Sequence, residues 1–195
     1  MINPDPIAWC DYFPIKKGDI VVDLGAYTGG TVCFFEKQVG KKGLVLALEP
    51  ELNNFIRLHE VTKKMDNVIP VMMAIGNQTG ETWLHVAKPK NQKYNNAHST
   101  VFKSFRRGRK LVRTITWDDL VTKLDLTHVD LAKVNVEGAE TELFEGMTKV
   151  LPKWIVLDEH SRFGLDLEHL MKLVRQNYCV IQKVDNLVYL ERKRE

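Results

Sequence analysis

The sequence has no long apolar run. None approaches the ~18 residues that a membrane-crossing helix needs, so no span is expected. It has little cysteine: Cys10, Cys33 and Cys179 are all there is in 195 residues. Three widely spaced thiols make neither a disulfide framework nor a metal-ligand pattern. They read as small buried apolar groups in a reducing cytoplasm. The stretch from Met1 to Asp11 lacks a basic start and an apolar core, so no secretory leader is expected there. Two phosphate-binding signatures are also missing. No Gly-Lys-Ser/Thr tripeptide exists, which excludes a Walker loop. The glycine-rich turn is not Gly-x-Gly-x-x-Gly either, because Tyr27 stands where the second glycine belongs. The net charge of +3 is too small to identify a partner.

What remains is ordinary for a globular chain: 44% hydrophobic and 27% charged residues, and a length that fits one domain over residues 1–195. Strand and helix patterns alternate. Strands are expected at Asp19–Leu24, Gly43–Leu48, Val68–Met73, Glu81–Ala87, Val129–Val136 and Trp154–Leu157. Helices are expected at Thr31–Val39, at Pro50–Lys64 with Pro50 in the first turn, at Trp117–Leu124 with Thr116 as N-cap, at Glu140–Val150 and at Leu167–Gln176. A closing hairpin, Val180–Val184 and Leu187–Glu191, turns at Asp185-Asn186. This order predicts an α/β fold: a mainly parallel sheet with helices on both faces and an antiparallel end.

Ligands of such sheets bind beyond the carboxyl ends of the strands. The first strand ends in "VVDLGAYTGG", Val21 to Gly30. A turn so poor in side chains lets a ligand approach backbone N–H groups. Asp23 argues against a phosphate and suits an ammonium or a hydroxyl. The second strand ends in "LALEPE". Its Glu49 lies 26 positions after Asp23, about where an acidic residue grips a ribose in nucleotide-binding units. A cationic ligand with a ribose and no phosphate satisfies both carboxylates, and S-adenosylmethionine has those features.

Five stretches in this order, "VVDLGAYTGGT", "LALEPE", "AIGNQTGE", "TWDDL" and "KVNVEGAETELFEGM", resemble the FkbM family of S-adenosylmethionine-dependent methyltransferases over roughly Asp19 to His160. The resemblance implies a Rossmann-like seven-stranded sheet and methyl transfer, usually to oxygen. It implies cofactor roles for Asp23, Gly25, Gly29 and Glu49, with Ala74 and Ile75 near the adenine. Ala26, Tyr27, Pro50 and Asn135, which lie at strand ends or in the loops after them, are the further cofactor candidates. Two positions depart from the pattern. Tyr27 stands where the family usually has Asn, and Asn135 where it commonly has Asp. An amide accepts no proton at neutral pH, so a base has to come from elsewhere.

Glu137 and His160 follow the fourth and fifth strands of the parallel run and are the acid/base or substrate-orienting candidates. Together with Asn135, Asp158 and Glu159 they offer donors to a divalent ion, but without tight ligand spacing no metal is assigned. Lys88 to Arg113 carries nine cations and no carboxylate, with Tyr94, Phe102 and Phe105 between them. Arg106, Arg107, Arg109 and His98 in that segment are the substrate candidates, and an anionic acceptor suits them. The expected function is O-methylation of a small-molecule or carbohydrate-type acceptor. The alternative is a non-catalytic protein on the same fold that binds RNA or another polyanion.

Overall fold

Short apolar runs separated by amphipathic segments have one economical arrangement: the runs pair in the middle and the segments cover them. The structure, a computed structural model, describes residues 6–86, 108–159 and 166–194. A 3-10 turn at Pro6–Cys10 is followed by β1 (Ile20–Leu24), α1 (Gly30–Val39), β2 (Leu44–Leu48), α2 (Leu52–Thr62), β3 (Val68–Val71), β4 (Ala74–Ile75), β5 (Gly80–Val86), β6 (Gly108–Ile115), α3 (Trp117–Lys123), β7 (Leu131–Val134), α4 (Glu140–Glu145), β8 (Trp154–Asp158), α5 (Leu167–Asn177), β9 (Tyr178–Val184) and β10 (Leu187–Arg192). Seven strands form one sheet in the order β3-β2-β1-β7-β8-β10-β9. The first five are parallel, and β10 pairs antiparallel with both β8 and β9. Both faces are covered. Val22, Leu24, Leu46, Ala132 and Val134 pack with Trp117 of α3, Leu143 of α4 and Leu170 of α5. Val21, Val45, Ala47, Leu131 and Val156 pack with Phe35 of α1, Leu58 of α2 and Trp9 of the N-terminal turn.

Three expectations need correction. The helix at Pro50 begins only at Leu52, because the Glu51 carboxylate accepts the Asn54 N–H and makes Glu51 the N-cap. The helix at Glu140 stops at Glu145 rather than Val150. Gly146 ends it with bonds to the Glu142 and Leu143 carbonyls, and a side chain there would meet the Gly76 carbonyl at 2.8 Å. No strand is expected at the end of the basic segment, yet Gly108–Ile115 is one, β6. It pairs with β5 and β4 in a second, three-stranded sheet. Among the described residues no helix is long and apolar enough to cross a membrane.

Candidate cofactor and active site

The carboxyl ends of β1, β2 and β7 lie side by side, so the loops after Leu24, Leu48 and Val134 meet. The first loop is tightly closed. Leu48 O accepts the N–H groups of Gly25 and Ala26, Ala26 O accepts that of Gly29, and Glu49 Oε2 accepts that of Tyr27 at 2.9 Å. The expectation that these amides await a ligand is therefore corrected: the protein has used them itself. Gly25 has φ +82°, and a Cβ on it would lie 1.9 Å from Asn135 O. Its missing side chain is what lets the first turn sit against the end of β7. Gly29 adopts the left-handed conformation as N-cap of α1, over Leu58 of α2. Ala26 belongs to the core, and Tyr27 has φ +53°.

Asp23 is fully buried and already holds an ammonium, that of Lys133. Lys133 Nζ lies 2.6 Å from Asp23 Oδ1, and Thr31 Oγ1 donates to Asp23 Oδ2. The chemistry expected of Asp23 is present, but the cation it suits belongs to the chain. Its work is to fasten β1, β7 and α1 together.

Glu49 differs. It is 6% exposed, and its partners are all N–H donors: Tyr27 N on Oε2, and Glu51 N and Asn54 Nδ2 on Oε1. Burial pushes its carboxyl up to about 7 despite those bonds. A carboxylate has about four acceptor sites. Three are taken, so one stays open on Oε2. Beside Gly25, at the end of β7, the buried Asn135 Oδ1 accepts nothing from any described residue. A buried amide oxygen with no donor is costly unless a ligand supplies one. The site therefore offers two unfilled acceptors and suits a ligand rich in hydroxyl or ammonium donors.

Pro50 links Glu49 to the N-cap Glu51. Burial works against ionisation of Glu51, but Lys110 of β6, with Nζ 2.5 Å from Oε1, and the Asn54 N–H hold its carboxyl below the usual range. Lys110 thus joins the basic strand to the loop that carries Glu49, a contact that sequence reading missed. Ala74 and Ile75 form β4 and are buried, with Ile75 in the core beside Ile115 and Trp117. Glu137 is buried in the loop after β7 with φ +52°, an uncommon conformation for a residue with a side chain. Arg109 lies on β6 with its guanidinium 4.6 Å from the centre of the Trp83 ring. His98, Arg106, Arg107 and His160 lie outside the described residues. Glu159 pairs with Lys183, and among the described residues no three His, Cys, Asp or Glu side chains are grouped to hold a metal ion.

Residues 23–180 match the Methyltransferase FkbM domain. The chain belongs to the FkbM methyltransferase family. One relative is the hexuronic acid methyltransferase AglP of Haloferax volcanii, 27% identical over 164 residues. The match covers 83% of this chain and 63% of AglP, so the chain spans less than two thirds of that relative's length. The fold is shared with a SAM-dependent methyltransferase from Aquifex aeolicus (TM-score 0.56, 14% identity, 97% of this chain and 90% of that one). It is also shared with fibrillarin from Aeropyrum pernix, solved with natively bound S-adenosyl-L-methionine (TM-score 0.54, 13% identity, 91% and 68%).

The raised carboxyl of Glu49 gives the free FkbM protein a pH signature. A carboxyl that holds its proton more tightly when folded adds stability that is fully present below about 4.5. That stability is lost as pH rises through about 7. The span corresponds to about 3 kcal/mol. Glu49→Gln removes the titration. Urea denaturation at pH 5 and pH 8 is expected to show the wild-type difference shrinking by roughly that amount in the variant. An undiminished difference would mean that Glu49 is ionised throughout.

Proposed function

We propose that this chain binds S-adenosylmethionine at the ends of β1, β2 and β7 and transfers its methyl group to an oxygen of an acidic carbohydrate. The observation that carries the cofactor reading is the pair of open acceptors, Glu49 Oε2 and Asn135 Oδ1, on either side of the closed glycine turn. Glu49 takes a ribose hydroxyl. Asn135 takes a donor of the methionine part, next to the Gly25 turn. The carbohydrate reading draws on the likeness to a hexuronic acid methyltransferase and on the cations from Lys88 to Arg113.

When bound, the cofactor supplies a methyl group already activated on a sulfonium. The protein then mainly has to align an oxygen with it. A hydroxyl acceptor loses a proton as the bond forms, and Glu137 or His160 takes it. A uronate carboxylate has no proton to lose. On that acceptor Asn135, where the family commonly has Asp, costs nothing, and the cations of the basic segment hold the sugar.

The experiment is transfer of a labelled methyl group to a hexuronate oligosaccharide, with a neutral oligosaccharide of equal length beside it. Label in the acidic sugar alone is expected, and release by mild alkali distinguishes an ester from an ether. Arg106→Gln/Arg107→Gln/Arg109→Gln should weaken acceptor binding and flatten its salt dependence without changing cofactor affinity. Transfer to the neutral sugar at an equal rate would sink the acidic-acceptor reading. The basic segment and Asn135 also favour a second reading, a non-catalytic polyanion-binding protein on this fold. Polyanion binding with no transfer to any acceptor is its signature.

A further inference from the structure

Lys133 is an anomaly. It sits in the middle of the buried strand β7, its side chain is 3% exposed, and the sheet register sets it directly beside Asp23 of β1. A charged pair here replaces what could have been two more apolar residues. Exchanging a buried ion pair for well-packed apolar residues is often neutral or stabilising, so the pair is weak evidence for stability as its purpose. Its second bond suggests another role. Besides Asp23 Oδ1 at 2.6 Å, Lys133 Nζ donates to Gly25 O at 2.8 Å. Gly25 is the residue whose φ of +82° starts the glycine turn. On the other side, the ring of Trp9 lies over the ammonium at 5.1 Å. Trp9 is 1% exposed and belongs to the N-terminal 3-10 turn. That turn is fastened in place, since Tyr189 of β10 donates its hydroxyl to Ala8 O and Phe13 stacks on Trp154.

We propose that Lys133 is a positioning residue: roofed by Trp9, it fixes the Gly25 carbonyl and so holds the glycine turn in the shape that receives the cofactor. The proposal rests on the reading of this turn as part of a cofactor site. An ammonium supplies donors in several directions, and a desolvated ammonium bonds strongly to both a carboxylate and a carbonyl. Lys133 therefore ties turn conformation to the sheet, and through Trp9 to the N-terminal 3-10 turn. It touches no reacting atom.

The test separates holding the turn from holding the fold. Lys133→Met alone leaves Asp23 buried and uncompensated, and such a protein can fail to fold. The paired variant Asp23→Asn/Lys133→Met removes both charges and keeps the volumes close. Two measurements are made on it and on the wild type. Hydrogen exchange is expected to quicken more than tenfold at the amides of Gly25, Ala26, Tyr27 and Gly29, with the β2, β7 and β8 amides unchanged. Calorimetry with S-adenosylhomocysteine is expected to show affinity at least tenfold weaker, although urea denaturation shows stability close to wild type. Trp9→Ala, which admits water to the ammonium, should move both readouts the same way by less. Wild-type exchange at the turn, or affinity within twofold of wild type in the folded pair variant, overturns the proposal. Failure of the wild-type protein to bind S-adenosylhomocysteine overturns the cofactor reading instead. The exchange data then decide separately whether Lys133 holds the turn.

Discussion

Gly25→Ala is expected to destroy the first turn. The added methyl group would lie 1.9 Å from the Asn135 carbonyl oxygen and 2.9 Å from its carbon. Both atoms are backbone, so no side-chain rotation relieves the contact. The left-handed φ of +82° adds ~1–2 kcal/mol of its own. Together these put the loss at about 3–5 kcal/mol, the range reserved for severe substitutions. Two neighbours calibrate the result. At Gly29, φ is +94°, but the tightest contact of the new methyl would be a side-chain atom, Leu58 Cδ1 at 3.1 Å, with Val61 Cγ1 and Leu58 Cα at ordinary van der Waals distance. Gly29→Ala should therefore cost roughly the conformational strain of 1–2 kcal/mol. At Gly30 nothing lies within 4 Å, and Gly30→Ala should be neutral or slightly stabilising. Urea denaturation of the three variants is expected to rank Gly25 far below Gly29, and Gly29 below Gly30. Equal effects at Gly25 and Gly29 would mean that the first turn does not rest on the end of β7. The reason for the glycine also changes the reading of the motif. Gly25 makes room for the protein's own backbone at the end of β7.

Asp23→Ala is expected to cost a comparable amount for a different reason. It strands the Lys133 ammonium in an interior where its remaining partners are Gly25 O and the Trp9 ring. Breaking a buried pair from one side typically costs about 3–5 kcal/mol. In a chain of this size that lowers Tm by roughly 10 °C. A stranded buried lysine escapes by losing its proton. Its folded pKa in the variant is then depressed below the unfolded value. Stability is gained as pH rises between the two. Thermal denaturation at pH 7 and pH 9.5 should accordingly show the Asp23→Ala deficit shrinking at the higher pH. A deficit independent of pH would show that water reaches Lys133 and that the Trp9 roof is open.

Much of the sheet was legible because its strands are short apolar runs between recognisable turns. β1, β2, β8 and the closing hairpin lie within two residues of where the pattern puts them. Local capping set the misplaced ends. Glu51, not Pro50, starts α2, since a carboxylate that reaches the Asn54 amide outranks a fixed φ. β6 was hidden by its own exposure. Arg109, Lys110 and Leu111 are all exposed, so no period of two marks the strand. In the site, the acidic character of Asp23 and Glu49 was readable, but their partners were not. Asp23 pairs with a residue 110 positions away, and only the register of β1 against β7 brings the two together. One clue was available. Asp23 in "IVVDL" and Lys133 in "LAKV" are lone opposite charges in two buried strands of one sheet. Each needs a counter-charge, and each is a candidate for the other. The open acceptor on Asn135 had no such clue, because an unfilled hydrogen-bond site is a property of the surroundings.

On the proposed reading, Glu49 and Asn135 are open acceptors that the cofactor fills. Calorimetric titration of the wild type and of Glu49→Gln with S-adenosylhomocysteine at pH 7.5 tests it most directly. One equivalent is expected to bind to the wild type. The variant should lose about 1.5–3 kcal/mol of binding free energy, the range for a hydrogen bond to a charged group. A wild-type protein that takes up no ligand, or a variant that binds as tightly as the wild type, would contradict the account.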